Sequence, residues 1–197
     1  MSLPARTEGY LDKRLAARVL KVAPGDYRAL QARDVPWQPV LATTLGSCVA
    51  ACMYEDGTGI GGMNHFLLPE GGENETARYG VHAMELLINA LLKLGARRSR
   101  LRAKLFGGGA VLAAVTSIDV GRQNAAFVRR FLATEGIPVV AEDLLGPHPR
   151  KLLFFPATAE ARVRHLPLVE GRSIAVVEQR KRDQARQRTP AHDVELF

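Results

Sequence analysis

Two cysteines in 197 residues are too few for a disulfide-built scaffold or a four-cysteine zinc site. No apolar run reaches about 18 residues, so no transmembrane helix and no membrane insertion are expected. The opening segment MSLPARTEGYLDKR has no apolar signal core, and a cytoplasmic protein is expected. No internal repeat is present. The hydrophobic fraction of 47% excludes wholesale disorder. A chain of this length buries roughly 70% of its unfolded surface and needs no cross-links to fold. Acidic residues are the scarcer charge, 20 against 27 basic, for a net charge of +7. That balance asks for an anionic partner; nucleic acid, a membrane surface and an acidic protein all qualify.

Residues 1–16 read as a mobile N-terminal segment, 17–178 as a single domain, and 179–197 as a basic tail, mobile or partly helical. Residues 30–37 read as loop. Val40–Thr44 is a short β-prone run stopped by Gly46. Val49–Tyr54 is apolar, and the turn at Glu55–Gly59 returns the chain as Ile60–Leu68, a β-hairpin. A loop rich in Gly, Glu and Asn covers Glu70–Thr76. Val81, Met84, Leu87, Leu91 and Leu94 recur at spacings of three and four, predicting a helix over 77–94 that ends at Gly95. Arg98, Arg100, Arg102 and Lys104 alternate with smaller or apolar residues, as on a half-buried strand with a cationic face. A second helix is expected over 121–135, and further strands at Ile137–Glu142, Lys151–Phe155 and Arg172–Glu178. Several strands with two main helices define an α+β class, a layered sandwich with mixed β-sheet.

The chemistry-bearing candidates lie in Leu45-Gly46-Ser47-Cys48. A cysteine just after a glycine turn sits at a strand end, where its sulfur can be accessible and backbone amides can approach a substrate oxygen. Cys52 falls inside the apolar run and reads as core. Taken alone, Cys48 also fits an ordinary buried cysteine. The hairpin brings it near His65, in Gly61-Gly62-Met63-Asn64-His65. A thiol beside an imidazole is a nucleophile pair; a histidine packed on a sheet face is the equal alternative. Ser47 and Asn64 flank the pair and can bind an amide, or make ordinary turn and strand hydrogen bonds.

LGSCVAACMYE followed by GGMNHFLLP resembles the signature of the chemoreceptor glutamine deamidases of bacterial chemotaxis, the CheD family. VAPGDY, KLFGGGAV, IDVGRQNAAFV, GIPVVAEDLLG and RKLLFFPATAEARV extend the resemblance from Val19 to about Val169. It implies a cysteine-hydrolase-like layered fold and a protein-glutamine glutaminase that releases ammonia without metal or organic cofactor. It implies Cys48 as nucleophile, His65 as general base and a threonine as third member. Thr43 and Thr44 stand side by side; Thr43 is taken, with Thr44 left open. The implied partners are the cytoplasmic helices of methyl-accepting chemoreceptors and a CheC-type phosphatase.

On that resemblance the Arg98–Lys104 strip becomes a candidate for steering toward acidic helices, against a plain solvated strand face. The basic tail has no interleaved aromatics, so nucleic acid is not expected as a partner. Gly107-Gly108-Gly109 lacks the Lys-Ser/Thr of a phosphate loop and reads as a site of close backbone packing. The alternative function is a mainly non-catalytic regulator that binds the phosphatase or the receptor complex.

Overall fold

A computed structural model describes residues 9–68, 73–110 and 120–188. Ten strands form two five-stranded mixed sheets. The first has the order β1 (Tyr10–Asp12), β2 (Ala17–Lys21), β4 (Gln38–Leu45), β9 (Arg150–Phe155), β10 (Glu160–His165). The second has the order β3 (Tyr27–Gln31), β6 (Ile60–Asn64), β5 (Val49–Glu55), β7 (Leu101–Gly107), β8 (Val139–Leu144). Each sheet contains one parallel pair, β2 with β4 and β7 with β8.

Alternation along the strands decides the layering. Leu41 and Leu45 of β4 and Leu152 and Phe154 of β9 pack with Cys48, Ala50, Cys52 and Tyr54, which share one face of β5. That is the seam between the sheets. The other face of β5, Val49, Ala51 and Met53, packs under two helices, α1 (Glu73–Lys93) and α2 (Val120–Thr134). The layers are therefore helix, sheet, sheet, in agreement with the α+β expectation. Gly95 follows α1 with φ +99°, and its N–H and that of Ala96 satisfy carbonyls of the last turn.

The expected hairpin forms, with Cys52 opposite Met63 and Glu55 opposite Ile60. The β5–β6 ladder ends at Cys52–Met63, β6 stops at Asn64 and not at the expected Leu68, and one further bridge pairs Val49 with Phe66. The Arg98–Lys104 strand begins at Leu101; Arg98–Arg100 is a short 3₁₀ turn. Arg98 pairs with Glu135, Arg100 with the buried Glu55 and Arg102 with Asp56, while Lys104 donates to the Ala159 carbonyl.

The larger departure is at the C-terminus. Arg172–Glu178, expected as strand, is helical, within α3 (Leu168–Arg188). Gln179–Arg188, expected as mobile or partly helical, continue the same helix. Its buried positions, Gly171, Ala175, Glu178 and Arg182, recur at helical spacing but are not apolar, so a hydrophobic pattern cannot reveal them. At the other end, Tyr10–Asp12 pairs with β2. The remaining parts of the two expected terminal segments, residues 1–8 and 189–197, lie outside the described residues, as do residues 70–72 of the expected loop; the rest of that loop, 73–76, belongs to α1.

Candidate active site

Gly46-Ser47-Cys48, between β4 and β5, is one of the segments that cross from one sheet to the other. Extending the β5–β6 register past Cys52–Met63 sets His65 opposite Ala50 and Leu67 opposite Cys48. Cys48 and His65 are thus diagonal neighbours on the face that looks into the seam. The sulfur of Cys48, a ring nitrogen of His65 and a carboxylate oxygen of Glu178 lie within 4.8 Å of one another. Such a set is close enough to admit a divalent ion, but both Glu178 oxygens already accept hydrogen bonds.

Backbone contacts pin the histidine. Its N–H donates to the Asp26 carbonyl, and its own carbonyl accepts from Gly25. The ring is held by Thr43, whose Oγ1 is 2.7 Å from His65 Nδ1 and 2.8 Å from the Val22 carbonyl oxygen. That carbonyl can only accept, so the single hydroxyl proton of Thr43 goes to Val22. Thr43 must then accept from Nδ1–H, which leaves Nε2 as the basic nitrogen. Nε2 is buried and has no hydrogen-bond partner among the described residues. Thr44 points to the opposite face of β4 and does not contact the ring.

Three consecutive amides form a nest at the crossover. Gly46 N (2.7 Å) and Cys48 N (3.4 Å) donate to Glu178 Oε1; Ser47 N and Ser47 Oγ, both at 2.8 Å, donate to Oε2. Arg182, one turn further along α3, reaches Ser47 Oγ at 3.3 Å. Behind the nest, Asn124 of α2 is fully buried; it donates to the Ser47 carbonyl at 2.8 Å and accepts from Leu68 N at 2.9 Å. The glycine run packs against the same loop as anticipated. Gly108 N and Gly109 N donate to the carbonyls of Cys48 and Gly46, and a Cβ on Gly107 would lie 2.2 Å from the Cys48 oxygen.

Two open alternatives resolve here. Cys48 is buried: it and His65 are both 0% exposed, with Glu178 of α3 seated on the crossover. Asn64 makes ordinary structural hydrogen bonds. Its Oδ1 accepts from Ala51 N, which lacks a ladder partner, and its Nδ2 donates to the Ala83 carbonyl. Cys52 is buried in the seam as expected.

Burial, followed by the nearby Glu178 charge and its hydrogen bond, pushes the Cys48 thiol well above its ordinary value. Burial also lowers the His65 imidazole, partly opposed by Glu178. With α3 in place, both shifts favour the neutral forms, thiol and imidazole. Sequence reasoning missed Glu178, Arg182 and Asn124. Only a view of the fold brings these residues to a loop more than 70 positions away in the chain.

An oriented imidazole, a thiol and a nest of amides are the equipment of a cysteine hydrolase. Residues 67–165 match the family described as CheD chemotactic sensory transduction. The "probable chemoreceptor glutamine deamidase CheD 1" of Dechloromonas aromatica is 51% identical over 81% of this chain and 79% of its own length. The Methylobacillus flagellatus protein named "probable chemoreceptor glutamine deamidase CheD" is 45% identical over 97% of this chain and 95% of its own. Its Xanthomonas campestris namesake is 48% identical over 95% and 93%. The chain belongs to the CheD family. A solved structure from Neisseria meningitidis, protein NMB0706, is a remote neighbour: TM-score 0.41 and 13% identity, over 68% of this chain and 64% of that one.

Proposed function

We propose that the protein is a cysteine amidohydrolase that converts specific chemoreceptor glutamines to glutamate in chemotaxis adaptation. The observation that carries this is the His65 ring, with its Nε2 unpartnered among the described residues, beside the Cys48 thiol at a nest of three amides. His65 Nε2 takes the thiol proton and Cys48 Sγ attacks the glutamine carbonyl carbon. The amides of Ser47 and Cys48 hold the developing oxyanion, each such donor being worth about 10²–10³ in rate. The C–N bond breaks, and ammonia leaves with the proton from His65. Water, deprotonated by the same nitrogen, cleaves the thioester and frees the carboxylate and the thiol. Thr43 holds the ring so that Nε2 faces the sulfur throughout.

The substrate is a receptor helix in the cytoplasm. An open cavity of about 640 Å³ adjoins Thr43 and Glu178, with Lys21, Lys151 and Arg164 in its lining. These cations suit acidic residues flanking the target glutamine. They make a better docking face than the Arg98–Lys104 strip, whose charges already have partners within the chain. A CheC-type phosphatase is a second partner, on family resemblance.

The test is to incubate the full chain and Cys48→Ala with receptor cytoplasmic fragments and read amide-to-acid conversion by mass spectrometry. Conversion by the wild type alone is expected; none on any cognate receptor would refute the proposal.

A further inference from the structure

With α3 down, neither Cys48 nor His65 has any accessible surface. No receptor carbonyl can reach the sulfur in this arrangement, so part of the molecule must move before catalysis. The element in the way is also weakly seated. Over residues 168–184 the buried positions of α3 are two small residues, Gly171 and Ala175, followed by Glu178 and Arg182. Of its larger apolar residues, Val169 is 80% exposed, Leu168, Val176 and Val177 are about half exposed, and Ile174 is half-buried. A helix that fully buries no large apolar side chain gains little from packing. What fixes it is the Glu178 carboxylate on the Gly46, Ser47 and Cys48 amides.

That carboxylate is chemically telling. A glutamate side chain is the product of glutamine deamidation, and Glu178 holds its carboxyl group on the donors that the reaction uses, next to the nucleophile. We propose that α3 is an internal product mimic: it lies where the substrate helix docks, with Glu178 in the place of the target side chain, and keeps the enzyme idle until it lifts. This rests on the deamidase reading. It adds that the active site receives its amide from an α-helix with small residues three and seven positions before the target, as Ala175 and Gly171 stand before Glu178. It also explains why two acidic influences on the thiol come from one side chain. Glu178 raises the Cys48 pKa by charge and by hydrogen bond, so the plug suppresses the thiolate as well as filling the site.

The full-length Glu178→Gln variant tests the seat directly, and as a near-isosteric change it preserves the fold. The side-chain amide at position 178 becomes a substrate held in place. Cys48 Sγ bonds to its carbonyl carbon as ammonia departs with the His65 proton, and water then restores the thiol and leaves a carboxylate. Peptide mass spectrometry is expected to find that position converted to acid, or trapped as an ammonia-loss thioester with Cys48. Neither should occur when Cys48→Ala is added. In parallel, Ala175→Arg should lift α3 and raise deamidation of receptor fragments about tenfold, the closed form being held by several charge-assisted hydrogen bonds. If wild type deamidates receptor fragments while the amide at 178 persists and Ala175→Arg is no faster, the product-mimic proposal is overturned and the deamidase stands. If no form of the chain deamidates either target, both fall.

Discussion

Thr43 and His65 come from different sheets, yet a 2.7 Å hydrogen bond joins Thr43 Oγ1 to His65 Nδ1. Because Thr43 also donates to the Val22 carbonyl, the bond fixes the tautomer as well as the ring orientation. Thr43→Val should lower kcat about 10–100-fold with little change in KM, by analogy with loss of one orienting partner. Thr43→Ser should restore most of it. Thr44→Ala should stay within about twofold, since Thr44 faces away from the ring. Steady-state kinetics on receptor fragments would read all three.

The two cysteines should separate cleanly by function. Cys48→Ala should lose at least about 10³-fold in rate, as removal of a nucleophile does. Cys52→Ala should keep activity within about threefold and lose about 1 kcal/mol of stability, its thiol being a packed group in the seam. A dead Cys52→Ala beside an active Cys48→Ala would reverse the assignment.

Alkaline pH should destabilise the fold through the same two thiols. Burial raises both above their ordinary value, so the folded state keeps its thiol protons where the unfolded chain has begun to lose them. The resulting stability is complete below the unfolded pKa, about 8.5, and declines as pH rises beyond it. Melting temperature should therefore fall from pH 8 toward pH 10, and the slope should be shallower in Cys52→Ala. An equal slope would remove this explanation.

Asn124 is a positioning residue for the crossover. Asn124→Ala leaves the Leu68 amide without its acceptor and the Ser47 carbonyl without its donor. The expected cost is about 1–3 kcal/mol, or about 2–4 °C of melting temperature per kcal/mol. The rate should fall further than stability alone requires, because the nest loosens; kcat measured well below the melting transition separates the two effects.

The residues also explain which features could be read in advance. β5 and β6 are central strands, buried on both faces; the unbroken apolar run of Val49–Tyr54 and the turn signal at Glu55–Gly59 announced them. β1, β3 and β10 went unrecognised, and all three are sheet edges, where polar and charged side chains blur the alternation. α1 was legible because Met84, Leu87 and Leu91 point into a large core. α3 was not, because its inner face carries glycine, alanine, glutamate and arginine. The hairpin spacing pointed to the proximity of Cys48 and His65 that the structure shows, and the roles proposed for them came from the resemblance. Glu178 and Asn124 act across the fold, and no local pattern marks them.

The crossover between β4 and β5 has a consequence for how the protein would fail. Threonine sits on one layer, histidine on the other, and the thiol on one of the segments that cross between them. A slip of the two layers by a fraction of a side chain would break the alignment while leaving every ladder intact. In mild denaturant, catalysis should therefore fade ahead of the circular-dichroism signal, making turnover the finer gauge of whether the sandwich is in register.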